Sequence, residues 1–227
     1  MRSVLHGLST VLMVTGALLL LDAVLTLVWQ EPVTAIYTKV RQQQLSSDLA
    51  ALESEAPSAL EVAALSHLNT DSQRIAFLAR AEERTAREGS GIGRIRIPHI
   101  HADFVIVKGT TLGDLESGPG IYPQTRFPGV PGTTAIAGHR TTYLAPFRHI
   151  DALRPGDVID VDMPYAHFTY LVSGRRIVAP TDVGVIDPVG YSRLVLSACT
   201  PLYSAAQRII VFARLIRTVP VGAAARA

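Results

Sequence analysis

The chain has 227 residues, a formal net charge of +2 and 48% hydrophobic residues. A charge so close to zero, without any cluster of Lys and Arg, argues against a nucleic-acid-binding protein. The single cysteine, Cys199, excludes an intrachain disulfide and any zinc site built from several cysteines.

An apolar segment, residues 4–29, lies near the N-terminus. As a helix it is about 39 Å long at roughly 1.5 Å per residue, which is enough to cross a bilayer. Asp22 opposes insertion by roughly 2.5–3.5 kcal/mol, whereas the leucines and valines favour it by roughly 4–8 kcal/mol. We therefore predict that residues 1–30 are a single-pass anchor in membrane lipid, with the N-terminus in the cytoplasm because Arg2 precedes the span. A signal peptide cleaved near residues 33–35 is the alternative, although the apolar region is longer than usual for one.

Residues 31–90 are rich in Ala, Gln, Glu, Arg and Leu. Apolar residues at near-helical spacing predict a first helix: Tyr37, Val40, Leu45, Leu49 and Leu52. Ser58 and Glu61 form a capping-box pattern that predicts a second helix after Pro57, and a third is expected at about residues 71–88. We expect an extracellular helical stalk or hairpin that acts as a spacer. Self-association through its apolar stripe is the alternative.

Residues 91–218 carry a different pattern, of short runs rich in Val, Ile, Phe and Tyr that are separated by Gly, Pro, Asp and Ser. The runs are residues 93–100, 102–109, 132–139, 157–163, 167–179, 193–199 and 208–216. Seven or eight short strands with few helices between them predict a mostly β fold, a closed or nearly closed barrel. Short helical crossovers are expected at residues 110–117 and 145–153, and a disordered tail at residues 219–227.

The last two predicted strands bring a thiol and a cation together. If they pair antiparallel, Cys199 at the end of one lies beside Arg208 at the start of the other, on one rim of the barrel. A guanidinium favours the thiolate and can bind an oxyanion. His139 is the one histidine that ends an apolar strand, where side chains face a substrate. The three residues suit acyl transfer through a covalent intermediate, although a lone cysteine is often only a small buried apolar residue.

Two segments that contain these residues resemble the sortase family. They are residues 138–147, Gly-His-Arg-Thr-Thr-Tyr-Leu-Ala-Pro-Phe, and residues 199–211, Cys-Thr-Pro followed by Arg-Ile-Ile-Val. The likeness covers about residues 93–216 and is greatest to class E sortases of high-GC Gram-positive bacteria. Residues 118–123, Gly-Pro-Gly-Ile-Tyr-Pro, also resemble the segment before the histidine strand in that class.

The resemblance implies a membrane-bound cysteine transpeptidase with a sortase-like barrel of about eight strands and no cofactor. Such enzymes cleave a Leu-Pro-x-Thr-Gly type of sorting motif between Thr and Gly, hold the product as a thioester and pass it to an amine. The implied partners are proteins with C-terminal sorting signals and the amine of a lipid II-type peptidoglycan precursor. By motif, Cys199 is the nucleophile, His139 the general acid and base, and Arg208 the ligand of substrate and oxyanion.

Three further residues are candidate substrate contacts. Tyr122 matches a tyrosine that is linked, in class E, to a preference for Ala over Pro in the sorting motif. Tyr143 either lines the groove in which a substrate would bind or packs within its own loop. Ala198 stands where the family usually has a threonine before the cysteine, so the missing hydroxyl bears on how the substrate is positioned.

We predict no metal site. His99 and His101 could share one strand face, but no cysteine or carboxylate cluster completes a ligand set. Asp103, Asp114 and Glu116 do not have the spacing of a calcium loop.

Three alternative functions remain open on the sequence. The first is a sortase that polymerises pilins, which would use the same residues. The second is a cell-wall enzyme of the L,D-transpeptidase type. The motif around the cysteine of those enzymes resembles Ser-His-Gly-Cys, whereas here Ala198 precedes the thiol. The third is a non-catalytic, membrane-tethered barrel that binds a partner.

Overall fold

The structure, a computed structural model, describes residues 2–29 and 32–226. Its first four helices are α1 (Arg2–Trp29), α2 (Pro32–Ser54), α3 (Ala59–Ser66) and α4 (Asp71–Thr85). Within α1, the stretch His6–Val24 is long and apolar enough to cross a membrane, with a mean hydropathy of 1.9. Residues 1 and 30, the ends of the predicted anchor, lie outside the described residues.

Eight strands form a closed barrel in the order β1-β2-β3-β4-β7-β8-β6-β5, which confirms the predicted mostly β fold. They are β1 (Gly91–Ile97), β2 (Ala102–Lys108), β3 (Gly120–Ile121), β4 (Thr133–Ala137), β5 (Val158–Met163), β6 (Ala166–Val178), β7 (Arg193–Thr200) and β8 (Gln207–Pro220). Most neighbours pair antiparallel, but β2 with β3 and β4 with β7 pair in parallel. The first crossover is helix α5 (Leu112–Ser117), whereas the second contains only a 3-10 turn at Ile150–Ala152.

Side chains of β7 alternate between two apolar environments, which fixes the face on which each one lies. Leu194, Leu196 and Ala198 belong to the main core inside the barrel. Val195 belongs to a second cluster on the outer face of the sheet. Because side chains alternate along a strand, Cys199 lies on the same outer face as Val195.

The helices of residues 31–90 pack on the barrel, which differs from the spacer that we expected. Ile75 and Leu78 of α4 are part of the main core, and Leu45 and Leu49 of α2 pack on β2. The other apolar residues that we placed on the first stripe are exposed: Tyr37, Val40 and Leu52. The barrel therefore supplies the local surface that buries one face of α2.

Gln42 of α2 completes the short seam between β2 and β3, which pair at only two residue positions. Its Oε1 accepts a hydrogen bond from the N–H of Val105 at 2.7 Å. Its Nε2 donates to the carbonyls of Val105 at 3.1 Å and Ser117 at 2.7 Å. This side-chain amide bonds the backbone where strand β3 is too short to do so, and it ties α2 to the barrel.

Local hydrogen bonding sets the start of α3. The predicted capping box is present: Ser58 accepts from the N–H of Glu61, whose carboxylate accepts from the N–H of Ser58.

The predicted disordered tail is wrong, since residues 219 and 220 end β8 and Gly222–Arg226 form helix α6. Ala224 is buried and its carbonyl accepts a bond from Arg74 of α4 at 3.1 Å. A run of small residues gave no periodic signal, so this docking was not visible in the sequence.

Replacing Gln42→Ala is expected to lower the free energy of unfolding by about 2–4 kcal/mol, because each buried backbone group left without a partner costs about 1–3 kcal/mol. Urea titration of the full chain in detergent, followed by circular dichroism, measures this. The neighbouring Gln43 is exposed, so Gln43→Ala should change the free energy by less than about 0.5 kcal/mol. Equal effects of the two substitutions would show that Gln42 does not hold the seam.

Candidate active site

Strand register brings the three predicted catalytic residues to one rim of the barrel. Between the antiparallel strands β7 and β8, Cys199 lies directly opposite Arg208. Between the parallel strands β4 and β7, Ala137 lies beside Ser197. His139 is two residues beyond Ala137, as Cys199 is two residues beyond Ser197. His139, just beyond β4, and Cys199, near the end of β7, therefore lie at the same end of the barrel.

Gly138 is required at the point where the chain leaves β4. A Cβ at this position would lie 2.6 Å from the ring of Phe147, which is fully buried. The N–H of Gly138 donates to the carbonyl of Ser197 at 3.0 Å, which extends the pairing with β7. The N–H of Phe147 donates to the carbonyl of His139 at 3.0 Å. This hydrogen bond folds the loop after His139 back onto its first residue.

His139 is partly buried, and this burial lowers the pKa of its imidazole. The carboxylate of Glu116 acts in the opposite direction and raises that pKa, but the effect of burial is larger. The Nε2 atom of His139 is buried and has no hydrogen-bond partner among the residues that the structure describes. A largely neutral ring with such a nitrogen is suited to exchange a proton with a group that enters the site.

Cys199 is a free cysteine and a partly exposed residue of the rim. Arg208 is held by its own loop: its Nη1 donates to the carbonyls of Ala205 and Gln207, both at 3.0 Å. Both bonds come from one nitrogen, and a guanidinium has five N–H donors in total. A contact with an oxyanion therefore remains open to it.

Arg140 is a structural residue of the site that we missed in the sequence. Its side chain is only 4% exposed. It donates to the hydroxyl of Thr200 at 3.1 Å and to the carbonyl of Arg148 at 3.2 Å, and it pairs with Asp151 at 2.8 Å. It thus links the residue after the nucleophile to the loop after His139. Its position directly after His139 was the only signal, and charge alone does not reveal burial.

Tyr122 lies on the same outer face of the barrel as Cys199. Its hydroxyl donates to the hydroxyl of Ser197 at 3.4 Å. Its ring packs against the outer apolar cluster, which consists of Ala135, Val178, Val185, Val195 and Ile210. Through Ser197, Tyr122 is held beside the strand that carries the thiol.

The structure corrects the prediction for Ala198. This residue is 3% exposed, and its methyl group packs in the core of the barrel, on the opposite face of β7 from Cys199. Because side chains alternate along a strand, the Ala198 methyl group points away from the outer face on which Cys199 lies. This core position argues against our prediction that the Ala198 side chain contacts the substrate.

Tyr143 packs against the predicted general acid and base. The centroids of its ring and of the His139 ring are 5.1 Å apart, and the ring planes are inclined by 40°. Its hydroxyl donates to Oε1 of Glu116 at 3.0 Å. Of the two alternatives, packing within its own loop is the one that these contacts favour.

Three of the residues that we considered as metal ligands, His99, Asp103 and Asp114, have other partners. Nδ1 of His99 lies 3.0 Å from a carboxylate oxygen of Asp157, and Asp103 pairs with Arg94 at 2.7 Å. Asp114 belongs to the capping box of α5. These contacts hold the three side chains within the fold.

Replacing Arg140→Lys is expected to destabilise the protein by about 1–3 kcal/mol, because a lysine lacks the planar fork that reaches several acceptors at once. The free energy of unfolding of the full chain in detergent measures this. Arg154 is exposed, so Arg154→Lys serves as the matched control and should leave stability unchanged. A stability loss no larger than in that control would contradict the role of Arg140.

Comparisons with known proteins agree with this geometry. A model of the sortase domain matches residues 95–216, which is more than half of the chain. Sortase D of Bacillus subtilis (strain 168) is 32% identical over 132 residues, which cover 56% of this chain and 65% of that protein. Sortase SrtE1 of Streptomyces coelicolor is 36% identical over 98 residues, which cover 39% of this chain and 28% of that protein. The chain thus spans less than two thirds of the length of these relatives.

The fold is also shared with a solved structure. The crystal structure of Sortase E1 from Streptomyces coelicolor, with a tripeptide in the active site, matches with a TM-score of 0.56 and 28% identity. The match covers 58% of this chain and 91% of that one. The match to the sortase domain, together with the shared fold, shows that the chain belongs to the sortase family.

Proposed function

We propose that this chain is a membrane-anchored cysteine transpeptidase. It cleaves a Leu-Ala-x-Thr-Gly or Leu-Pro-x-Thr-Gly sorting motif between Thr and Gly, and it transfers the protein to an amine of a peptidoglycan precursor. The observation that carries this proposal is the strand register, which sets Cys199 opposite Arg208 and beside the strand that leads to His139.

Each residue of this rim has a defined part in the reaction. The thiolate of Cys199 attacks the carbonyl carbon of the substrate threonine. The guanidinium of Arg208 stabilises the negative charge that develops on the oxygen of that carbonyl group. The imidazolium of His139 gives its proton to the departing glycine amine, which leaves a thioester. Neutral His139 then takes a proton from the incoming amine as that amine displaces the thiol.

The protonation of His139 limits how much enzyme is ready to react. Burial lowers the pKa of the imidazole, so the imidazolium is the minor form near neutral pH. The attack requires a thiolate on Cys199 together with an imidazolium on His139. Only a minority of molecules therefore hold the reactive pair at any moment.

The outer apolar cluster beside Cys199 supports a peptide as the substrate. Tyr122 and the 3-10 turn Val183–Ile186 border this cluster. An apolar side chain of a sorting motif can bury its surface there, and we assign Tyr122 to the contact with the residue after the leucine. The tripeptide in the active site of the related Sortase E1 supports the same class of substrate.

Helix α1 supports the membrane location. The described side chains of this helix are almost all exposed, including a series of large apolar residues: Leu8, Val11, Leu12, Met13, Leu18, Leu19 and Leu20. In water such a surface would be unfavourable, whereas lipid accommodates it. We place the barrel outside the cell, where sorting signals and wall precursors meet.

The full chain in detergent is mixed with either sorting peptide and with triglycine as the amine acceptor. The expected product is the peptide fragment that ends in threonine, joined through that threonine to triglycine. Cys199→Ala should abolish the product because the thioester cannot form, and His139→Ala or Arg208→Ala should lower kcat/KM by about 10²-fold or more. Chromatography with mass spectrometry measures the products.

Matched controls are His67→Ala and Arg154→Ala, both exposed positions outside the site, and they should retain wild-type turnover. Two results would reject the proposed function. One is a wild-type chain that cleaves neither peptide, and the other is turnover that persists in Cys199→Ala.

A further inference from the structure

We propose that Glu116 and Tyr143 form a positioning pair that orients His139 for proton transfer. The hydroxyl of Tyr143 donates to Oε1 of Glu116 at 3.0 Å. The Tyr143 ring packs against the imidazole of His139, with the ring centroids 5.1 Å apart. The pair acts on the acid and base of the proposed transpeptidase, so it rests on that function. Its effect passes through the imidazole and not through contact with the substrate.

The backbone after His139 is bent so that Tyr143 faces this ring. Tyr143, Leu144 and Ala145 have φ angles of 52°, 60° and 43°, which place three successive non-glycine residues in the left-handed region. Such residues cost free energy and persist only where their surroundings hold them, most often at functional sites. The N–H of Ala145 donates to the carbonyl of Thr142 at 2.8 Å, which closes the turn. The hydrogen bond to Glu116 holds the tip of the same turn.

Glu116 is itself held by the helix that follows the proposed anchor. Its backbone carbonyl accepts a bond from the hydroxyl of Thr38 at 2.9 Å, and the next carbonyl, of Ser117, accepts one from Gln42 at 2.7 Å. Thr38 is fully buried, and both donors lie on α2. The position of the Glu116 carboxylate therefore depends on the docking of α2 against the barrel.

Charge gives the pair a second effect on the histidine. Among the described residues, Tyr143 packs on the His139 ring and the Glu116 carboxylate acts on it by its charge. Cys199, Arg208 and Arg140 are the further titratable or charged groups at the same rim. The Glu116 carboxylate raises the pKa of His139, against the larger lowering by burial. Removing this charge lowers the pKa further, so less imidazolium is present at neutral pH. The fraction of molecules with the thiolate and imidazolium pair then falls.

Two substitutions separate charge from orientation. Glu116→Gln keeps an acceptor for the tyrosine hydroxyl but removes the charge, and it should move the His139 titration to lower pH. Tyr143→Phe keeps the ring but removes the hydroxyl. Each should lower kcat about three- to tenfold with little change in KM, less than the 10²–10⁴-fold that general acid–base catalysis contributes.

The measurements are kinetics with the sorting peptides and an NMR titration of the full chain in detergent, in which the His139 signal is identified by its loss in His139→Ala. Glu53 and Tyr191 are exposed, so Glu53→Gln and Tyr191→Phe are the controls and should change neither quantity. Thermal unfolding midpoints equal to wild type exclude a general loss of folding.

An unmoved His139 titration in Glu116→Gln, or an unchanged kcat in Tyr143→Phe, would overturn the inference. The titration needs no substrate. A wild-type chain that cleaves neither peptide would therefore reject the proposed function, while the NMR result still decides whether Glu116 acts on His139.

Discussion

The register of three neighbouring strands, β4, β7 and β8, is the constraint on which the site depends. It places Cys199 opposite Arg208, and it aligns β4 with β7 so that His139 follows at the same rim. A slip of one residue would turn Cys199 into the barrel and bring Ala198 to the surface, because side chains alternate along a strand. The buried residues Leu194, Leu196 and Ala198 oppose such a slip, since their apolar surface would be lost to water. The chemistry of the rim is therefore fixed by the packing of the core beneath it.

Part of this site could be predicted because its residues end strongly apolar strands. Cys199, His139 and Arg208 each stand at a strand boundary that residue type and turn residues reveal, and short-loop pairing brings two of them together. Strand β3 has two residues, too few for any periodic signal. The contact of Tyr143 with Glu116 joins positions 27 residues apart, and only the folded loop creates it.

Burial was harder to predict than strand position. Arg140 is charged yet packed under the rim, and the exposed residues Tyr37 and Val40 share a helix with the buried Leu45. Side-chain hydrogen bonds decide these cases: Arg140 finds carbonyl and carboxylate partners, and Gln42 satisfies the free edge of β2. The partners of Gln42 lie 63 and 75 residues away along the chain, and the Thr200 partner of Arg140 lies 60 residues away. The C-terminal helix α6 was likewise missed, because its alanines pack through small size and not through an apolar stripe.

Helix α2 connects the proposed anchor to the proposed chemistry. One of its faces carries Thr38 and Gln42, which hold the carbonyls of Glu116 and Ser117. From there, contacts lead through Tyr143 to the imidazole. The part of the chain that we expected to be a spacer thus also forms part of the support of the active site. This arrangement gives a physical reason for the helices to pack on the barrel and not project from it.

The most direct test of the central claim is the intact mass of the full chain after mixing with a sorting peptide in the absence of an amine acceptor. We predict an adduct with the mass of the fragment that ends in threonine, located on Cys199 and released by hydroxylamine. A folded wild-type chain whose thiol reacts with iodoacetamide, but which acquires no peptide fragment, would contradict the account.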